Sequence, residues 1–162
     1  MSIGKGEYME DNVREEKDLI KFLKKVTIFK DLSRSDLKHL RQYLYTRSYE
    51  AGEEVFKKGY PNVILYIVKE GELKVYLNKN NEEVELNRVK PFGQFGSFGL
   101  FKDVRRTASV SATEDSILLG ISKKDLATFV HKFPQAGVSI LYELGCILSD
   151  HVVRLNDRIA NE

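Results

Sequence analysis

The chain has 162 residues, 42% apolar and 31% charged, with nine Phe and eight Tyr, and this excludes an intrinsically disordered protein. Its 26 basic and 24 acidic residues nearly cancel, leaving a net charge of +2 and no reason for bulk attraction to nucleic acid or anionic lipid. No uninterrupted apolar run comes near the roughly 18 residues of a membrane span, so no membrane association is expected. Glu7, Glu10, Asp11, Glu15 and Glu16 do not belong in a secretory signal. The single Cys146 excludes an intrachain disulfide and suits a reducing cytoplasm.

Three regions are expected along the chain: an N-terminal tail and helix over 1–26, a β-rich body over 27–134, and a C-terminal helix over 135–162. Val13, Leu19, Ile20, Phe22, Leu23 and Val26 recur at helical spacing, with a loose tail before about Asp11. Ser33 and Asp36 have the spacing of a capping box, in which the serine oxygen accepts an orphan backbone N–H. Leu37, Leu40, Tyr43 and Leu44 continue that second helix on one face.

Between about Arg47 and Ile121 the apolar period becomes two, with glycines as punctuation. Strands are expected at Ile64–Val68 and Leu73–Leu77, separated by a Glu70-Gly71 turn. Further strands are expected around Val84–Asn87 after an Asn80-Asn81 turn, and at Thr107–Ala112 and Ser116–Ile121. Short strands at regular spacing predict an antiparallel roll, barrel or sandwich. Ser122 and Asp125 form a second capping box, and Phe133-Pro134 ends the helix that follows. In the last segment Leu144, Leu148, Val152, Leu155 and Ile159 fall four, four, three and four apart, one narrow stripe on a long helix. The stripe suits either packing over the β-roll or a dimer seam.

No constellation for chemistry is visible. His39, His131 and His151 all lie in the expected helices, and the β region holds no His or Cys, so no metal site is expected. There is no P-loop, Rossmann glycine motif, HExxH or GxSxG, and no catalytic residue or cofactor is expected. The informative stretch is Pro91-Phe92-Gly93-Gln94-Phe95-Gly96-Ser97-Phe98-Gly99-Leu100-Phe101, followed by Arg105-Arg106-Thr107-Ala108-Ser109-Val110. Closely spaced glycines suit a turn with unhindered backbone N–H groups, which can hold an anion. On a period-two strand Arg106 shares a face with Ala108, Val110 and Ala112, so it is aimed at the interior. Thr107, Ser109 and Ser111 take the opposite face. An inward guanidinium without a counter-charge costs several kcal/mol, which points to a small anionic ligand. The alternative is an Arg106 that curls out into water.

The order of elements, with Ile28-Phe29-Lys30-Asp31-Leu32-Ser33, Tyr49-Glu50-Ala51-Gly52-Glu53, Leu65-Tyr66-Ile67-Val68 and the glycine-rich stretch, resembles the cyclic nucleotide-binding domain of the catabolite activator and protein kinase A regulatory subunit type. The resemblance covers about residues 26 to 160. It implies a mainly β fold with flanking helices: a jelly-roll-like antiparallel β-roll, N-terminal helices and a long C-terminal helix. It also implies a phosphate site at Arg106, Thr107 and Ala108, and a ribose side at Gly96, Ser97 and Phe98. The family's ribose-binding Glu is Ser97 here, the Pro before the Arg is Arg105, and the Gly-Asp after Pro91 is Phe92-Gly93. In transcription factors of this family the last helix pairs with its twin and leads into a helix-turn-helix. No recognition helix or basic cluster follows it in this sequence, so direct DNA binding is not expected. The implied function is a non-catalytic sensor for cyclic AMP, cyclic GMP or another small anion, relayed through a C-terminal helix that forms a homodimer or meets a protein partner. The alternative is an interaction domain whose nucleotide pocket is degenerate.

Overall fold

The computed structural model describes the backbone over residues 5–161 and side chains over residues 12–161. The chain forms two compact units: residues 40–132, and residues 1–39 with 133–162.

Among the described residues the first unit carries every strand: β1 (Tyr45–Tyr49), β2 (Glu54–Phe56), β3 (Ile64–Glu70), β4 (Leu73–Lys79), β5 (Glu82–Val89), β6 (Gln94–Phe95), β7 (Ser109–Ala112) and β8 (Ser116–Ser122). They make two antiparallel four-stranded sheets, ordered β1-β8-β3-β6 and β2-β7-β4-β5. The core contains Tyr66, Val68 and Leu118 from the first sheet and Leu73, Val110 and Ala112 from the second. The expected mainly β fold with flanking helices is the fold observed.

The turns follow local chemistry. Asn80 and Asn81 both take positive φ, at 55° and 63°, and join β4 to β5 in register Lys79 with Glu82. That is the backbone of a two-residue I′ hairpin, which Asn tolerates. Gly71 turns β3 into β4 at φ +83°, and a Cβ there would meet Asp115 O at 2.6 Å and the Ser116 side chain. Both features demand glycine. The short helix α3 (Phe98–Phe101) precedes β7, and α4 (Lys123–Lys132) follows β8. At the start of α4 the Asp125 amide donates to Ser122 Oγ at 3.0 Å, and that hydroxyl donates to Asp125 Oδ2 at 2.7 Å.

The strand expected from Thr107 begins at Ser109. Its faces do not alternate between core and water: all four residues are buried, Ser109 and Ser111 included. Ser109 is inside because its hydroxyl accepts the Lys58 amide at 2.9 Å. The second helix is also shorter than expected. It ends at Arg41, and Tyr43 and Leu44 lead into β1 rather than continuing its face.

The second unit holds α1 (Lys5–Lys25), a 3-10 turn (Thr27–Phe29), most of α2 (Arg34–Arg41) and the 27-residue α5 (Pro134–Ala160). Helical backbone starts at Lys5, within the tail expected to be loose before Asp11, and residues 1–4 of that tail lie outside the described residues. The Ser33 box is reciprocal: the Asp36 amide donates to Ser33 Oγ at 3.0 Å and the Ser33 amide donates to Asp36 Oδ2 at 2.9 Å. Leu23, Val26, Ile28, Leu37, Ile140 and Leu144 are fully buried. Glu143 is buried and meets Lys30 at 2.9 Å, and this contact raises the lysine's pKa. By length and composition alone α5 is long and apolar enough to cross a membrane. Counting uninterrupted apolar runs does not register this, because Glu143 and Asp150 break the run. Its buried residues, Ala136, Gly137, Ile140, Glu143 and Leu144, all lie in its first half. Along the expected stripe Leu144 is buried, Leu148 half-buried, and Val152, Leu155 and Ile159 exposed.

Gly71→Ala is expected to lower stability by about 2–4 kcal/mol, since a left-handed backbone and a steric clash act together. Ser122→Ala, which removes only a cap, should cost about 1 kcal/mol. Urea denaturation of both variants checks the ordering.

Candidate ligand-binding site

The site is built around Arg106, which is only 5% exposed. Its backbone is pinned from both sides by the loop before β3. The Arg106 amide donates to Tyr60 O at 2.8 Å, and the Gly59 amide donates to Arg106 O at 2.8 Å. Pro61 and Arg105 form an isolated antiparallel bridge, and Arg105 Nη1 donates to Gly59 O at 2.8 Å. Thr107 and Ala108 follow as a bend, with Thr107 exposed and Ala108 half-buried. Arg106 therefore turns inward from a bracketed segment ahead of β7, and its burial does not depend on strand alternation.

Inside, the guanidinium lies over the Phe56 ring, Cζ 3.9 Å from the centroid, with the Tyr66 ring at 5.8 Å. These rings belong to a stack in which Phe56, Tyr66 and Phe95 lie 5.3 to 6.2 Å apart. The ring faces supply cation–π attraction of about 0.5–2 kcal/mol. Nη2 donates to Ile64 O at 3.0 Å. Nε and Nη1 have no hydrogen-bond partner among the described residues. No carboxylate pairs with Arg106 among those residues either. Burial pushes its pKa down, opposed by the Tyr66 and Tyr45 phenols. An arginine starts so high that it keeps its charge. The result is a buried cation with two donors to spare.

Gly96 makes this arrangement possible. It has φ +88°, and a Cβ there would strike Arg106 Nη1 and lie 2.7 Å from Ile64 O. Ser97 is 8% exposed and opens α3 without a side-chain cap bond. Phe98 is exposed. Gly99 packs so tightly on Asn62 that any side chain would collide with the Asn62 carbonyl. Asn62 is buried, and its Oδ1 has no hydrogen-bond partner among the described residues. Upstream, Phe92 sits at φ +71°, a left-handed backbone that the glycine usual at this position in the resembled family takes without cost. Of the residues expected here, Arg106 and Gly96 are brought into contact, with Ser97 next in chain. Thr107 is on the surface.

Three participants were not among the expected site residues: Phe56, Ile64 and Asn62. Phe56 lies on a three-residue strand, too short for periodicity to register. Ile64 acts through its carbonyl, which no side-chain pattern reports. Among the described residues no group of His, Cys, Asp and Glu could hold a metal ion.

The model of the cyclic nucleotide-binding domain family matches residues 46–133, more than half of the chain. The chain belongs to the cyclic nucleotide-binding domain family. It is 29% identical over 133 residues to a cAMP-dependent protein kinase regulatory subunit of Mycosarcoma maydis, covering 80% of this chain and 25% of that protein. It spans about a quarter of the length of the curated relatives it matches. Among solved structures, a cyclic nucleotide-binding domain from Methylobacillus flagellatus shares the fold with TM-score 0.78 at 19% identity, over 91% of this chain and 84% of that one. The Thermus thermophilus catabolite activator protein does so with TM-score 0.75 at 22% identity, over 83% and 62%.

Two substitutions test the geometry without any ligand. Arg106→Met replaces an unpaired buried charge by an apolar chain of similar reach, and should leave the free protein as stable or about 1–4 kcal/mol more stable. Gly96→Ala should destabilise it, because the methyl displaces Nη1 or Ile64. Thermal unfolding of the two variants should therefore shift in opposite directions, or not at all for Arg106→Met.

Proposed function

We propose that this chain is a non-catalytic sensor module that binds a cyclic nucleotide, cyclic AMP or cyclic GMP, through the ligand's phosphate at Arg106. The observation that carries the reading is the buried guanidinium with Nε and Nη1 unpartnered among the described residues. A buried charge of this kind is costly unless a counter-ion completes it. The cyclic phosphate supplies one negative charge and acceptor oxygens. Gly96, having no side chain, lets Nη1 stand against its backbone, where a Cβ would strike it. Membership of the cyclic nucleotide-binding domain family supports the same ligand class. The proposed seat is Arg106 with the backbone of Thr107 and Ala108 on the phosphate side, and Gly96, Ser97 and Phe98 on the ribose side.

Ser97 sets the affinity. A carboxylate at this position would accept from a ribose hydroxyl, a charged hydrogen bond contributing about 1.5–3 kcal/mol. The shorter hydroxyl forgoes that contribution or reaches the ribose through water. Binding about 10- to 150-fold weaker than with a carboxylate follows.

The output is proposed to pass through α5. Its exposed Val152, Leu155 and Ile159 offer an apolar seam to a second copy or to another protein. Ligand capture can shift this helix only if the ligand binds one of its states more tightly than the other. No DNA contact is proposed, and a reducing cytoplasm suits the lone thiol of Cys146. A second reading is favoured by Ser97: an interaction domain that uses α5 constitutively and whose pocket no longer takes nucleotide.

Isothermal titration calorimetry with cyclic AMP and cyclic GMP separates the two. The sensor reading expects saturable binding of at least one of them, lost in Arg106→Ala and strengthened about 10- to 150-fold in Ser97→Glu. Absence of binding in the wild-type chain and in Ser97→Glu alike would leave the interaction domain.

A further inference from the structure

The unit of residues 1–39 and 133–162 carries a concave surface of its own. A groove of about 650 Å³ runs between the second half of α1 and the start of α2. That volume lies in the range of small-molecule sites. Ile20 and Leu37, both buried, contribute to its lining. The other lining residues are Lys17, Lys21, Lys24, Lys25 and Arg34, all exposed. Their methylene stems extend the apolar wall while their charged ends reach water. Lys24 donates to the Leu32 carbonyl at 2.6 Å, which ties α1 to the segment before α2. Lys17, Lys21 and Arg34 have no acidic partner among the described residues. The neighbouring acids Asp18 and Asp36 do not line the groove, and Asp36 is held by the Ser33 box.

The side chains of this lining hold one kind of polar group. Lysine and arginine donate and never accept, and Ile20 and Leu37 do neither. A sugar, a nucleobase or an amide brings N–H or O–H groups that these side chains leave without acceptors. A small inorganic anion meets the cations at the rim but leaves the apolar walls in water. An uncharged alkyl chain covers the walls but makes no use of the rim. The guest that matches both is an alkyl chain ending in a group of acceptors alone, a carboxylate or a phosphate. Its negative charge also relieves the mutual repulsion of five cations held around one groove.

We propose that this groove binds a single-chain anionic amphiphile, with its alkyl chain among the lysine stems over Ile20 and Leu37 and its carboxylate or phosphate head among Lys17, Lys21 and Arg34. Exposed ion pairs contribute little one by one and are screened by salt. The tail therefore supplies most of the affinity, the cations select the head, and the binding is salt-sensitive.

Titration of the full chain with dodecanoate and with dodecyl phosphate, below their micelle-forming concentrations and followed by amide resonances, tests this. Both should bind saturably, with the largest shifts at residues 17–25 and 34–37. Dodecanol, which keeps the tail and lacks the charge, should bind about tenfold more weakly or less, and inorganic phosphate should not saturate the site. Lys17→Met with Lys21→Met keeps the apolar wall and removes two charges. It should weaken dodecanoate about tenfold and abolish the salt dependence of what remains, and circular dichroism verifies that the variant is folded. Failure of both amphiphiles to bind overturns the proposal. So does equal affinity for dodecanol, binding indifferent to the two lysines, or shifts centred on other residues. Binding to phosphatidylserine vesicles or to a poly-glutamate peptide by a chain that takes neither free amphiphile would assign the groove to a membrane or a protein instead.

Discussion

The constraint on which the site depends is a full positive charge held out of water without a negative one beside it. Arg106 sits against Phe56, gives one hydrogen bond to the Ile64 carbonyl, and leaves Nε and Nη1 without a partner among the described residues. Ring faces and one carbonyl do not repay the desolvation of a guanidinium. The β-roll holds it there by backbone means, through the bracket between residues 59–61 and 105–106. The fold's own stability thus works against the site, and a ligand anion would relieve the conflict. In the proposed function, this conflict is what lets a roll of ordinary hairpins and an apolar core act as a receptor.

The departures at the glycine-rich turn act on different quantities. In the proposed function, Ser97 in place of a charged acceptor lowers affinity and leaves the pocket with donors in excess. Phe92, in its left-handed conformation, loads the entrance to the turn with backbone strain. Gly99 gives up a side chain because Asn62 occupies its space. None of these touches the link between Arg106 and Gly96. In the proposed function the phosphate seat and the ribose seat are therefore separable, and a change of ligand would be easier to reach than a loss of anion binding.

Much of this was legible in the sequence wherever the cause is local. Both Ser-Asp capping boxes form as their spacing implied, and Asn80-Asn81 and Gly71 make turns because few other residues accept those dihedrals. The stripe on α5 was visible as helical spacing. What it faces was not, because periodicity gives a face and no partner. Arg106 illustrates a right outcome reached by another path. Alternation along a strand pointed it inward, yet the strand begins three residues later, and a loop bracket and an aromatic seat turn it in. Thr107 shows the cost of that difference, since strand logic says nothing of a bend that leaves it in solvent. Phe56 escaped because a strand of three residues has no period, and Ile64 because it contributes only its carbonyl.

The most direct measurement follows the proton on Arg106 Nε by nuclear magnetic resonance as cyclic AMP or cyclic GMP is added. If the guanidinium is the phosphate seat, this resonance moves downfield and its exchange with water slows in step with saturation. A ligand that binds while the Nε proton keeps its shift and its exchange rate would place the anion elsewhere and contradict the account.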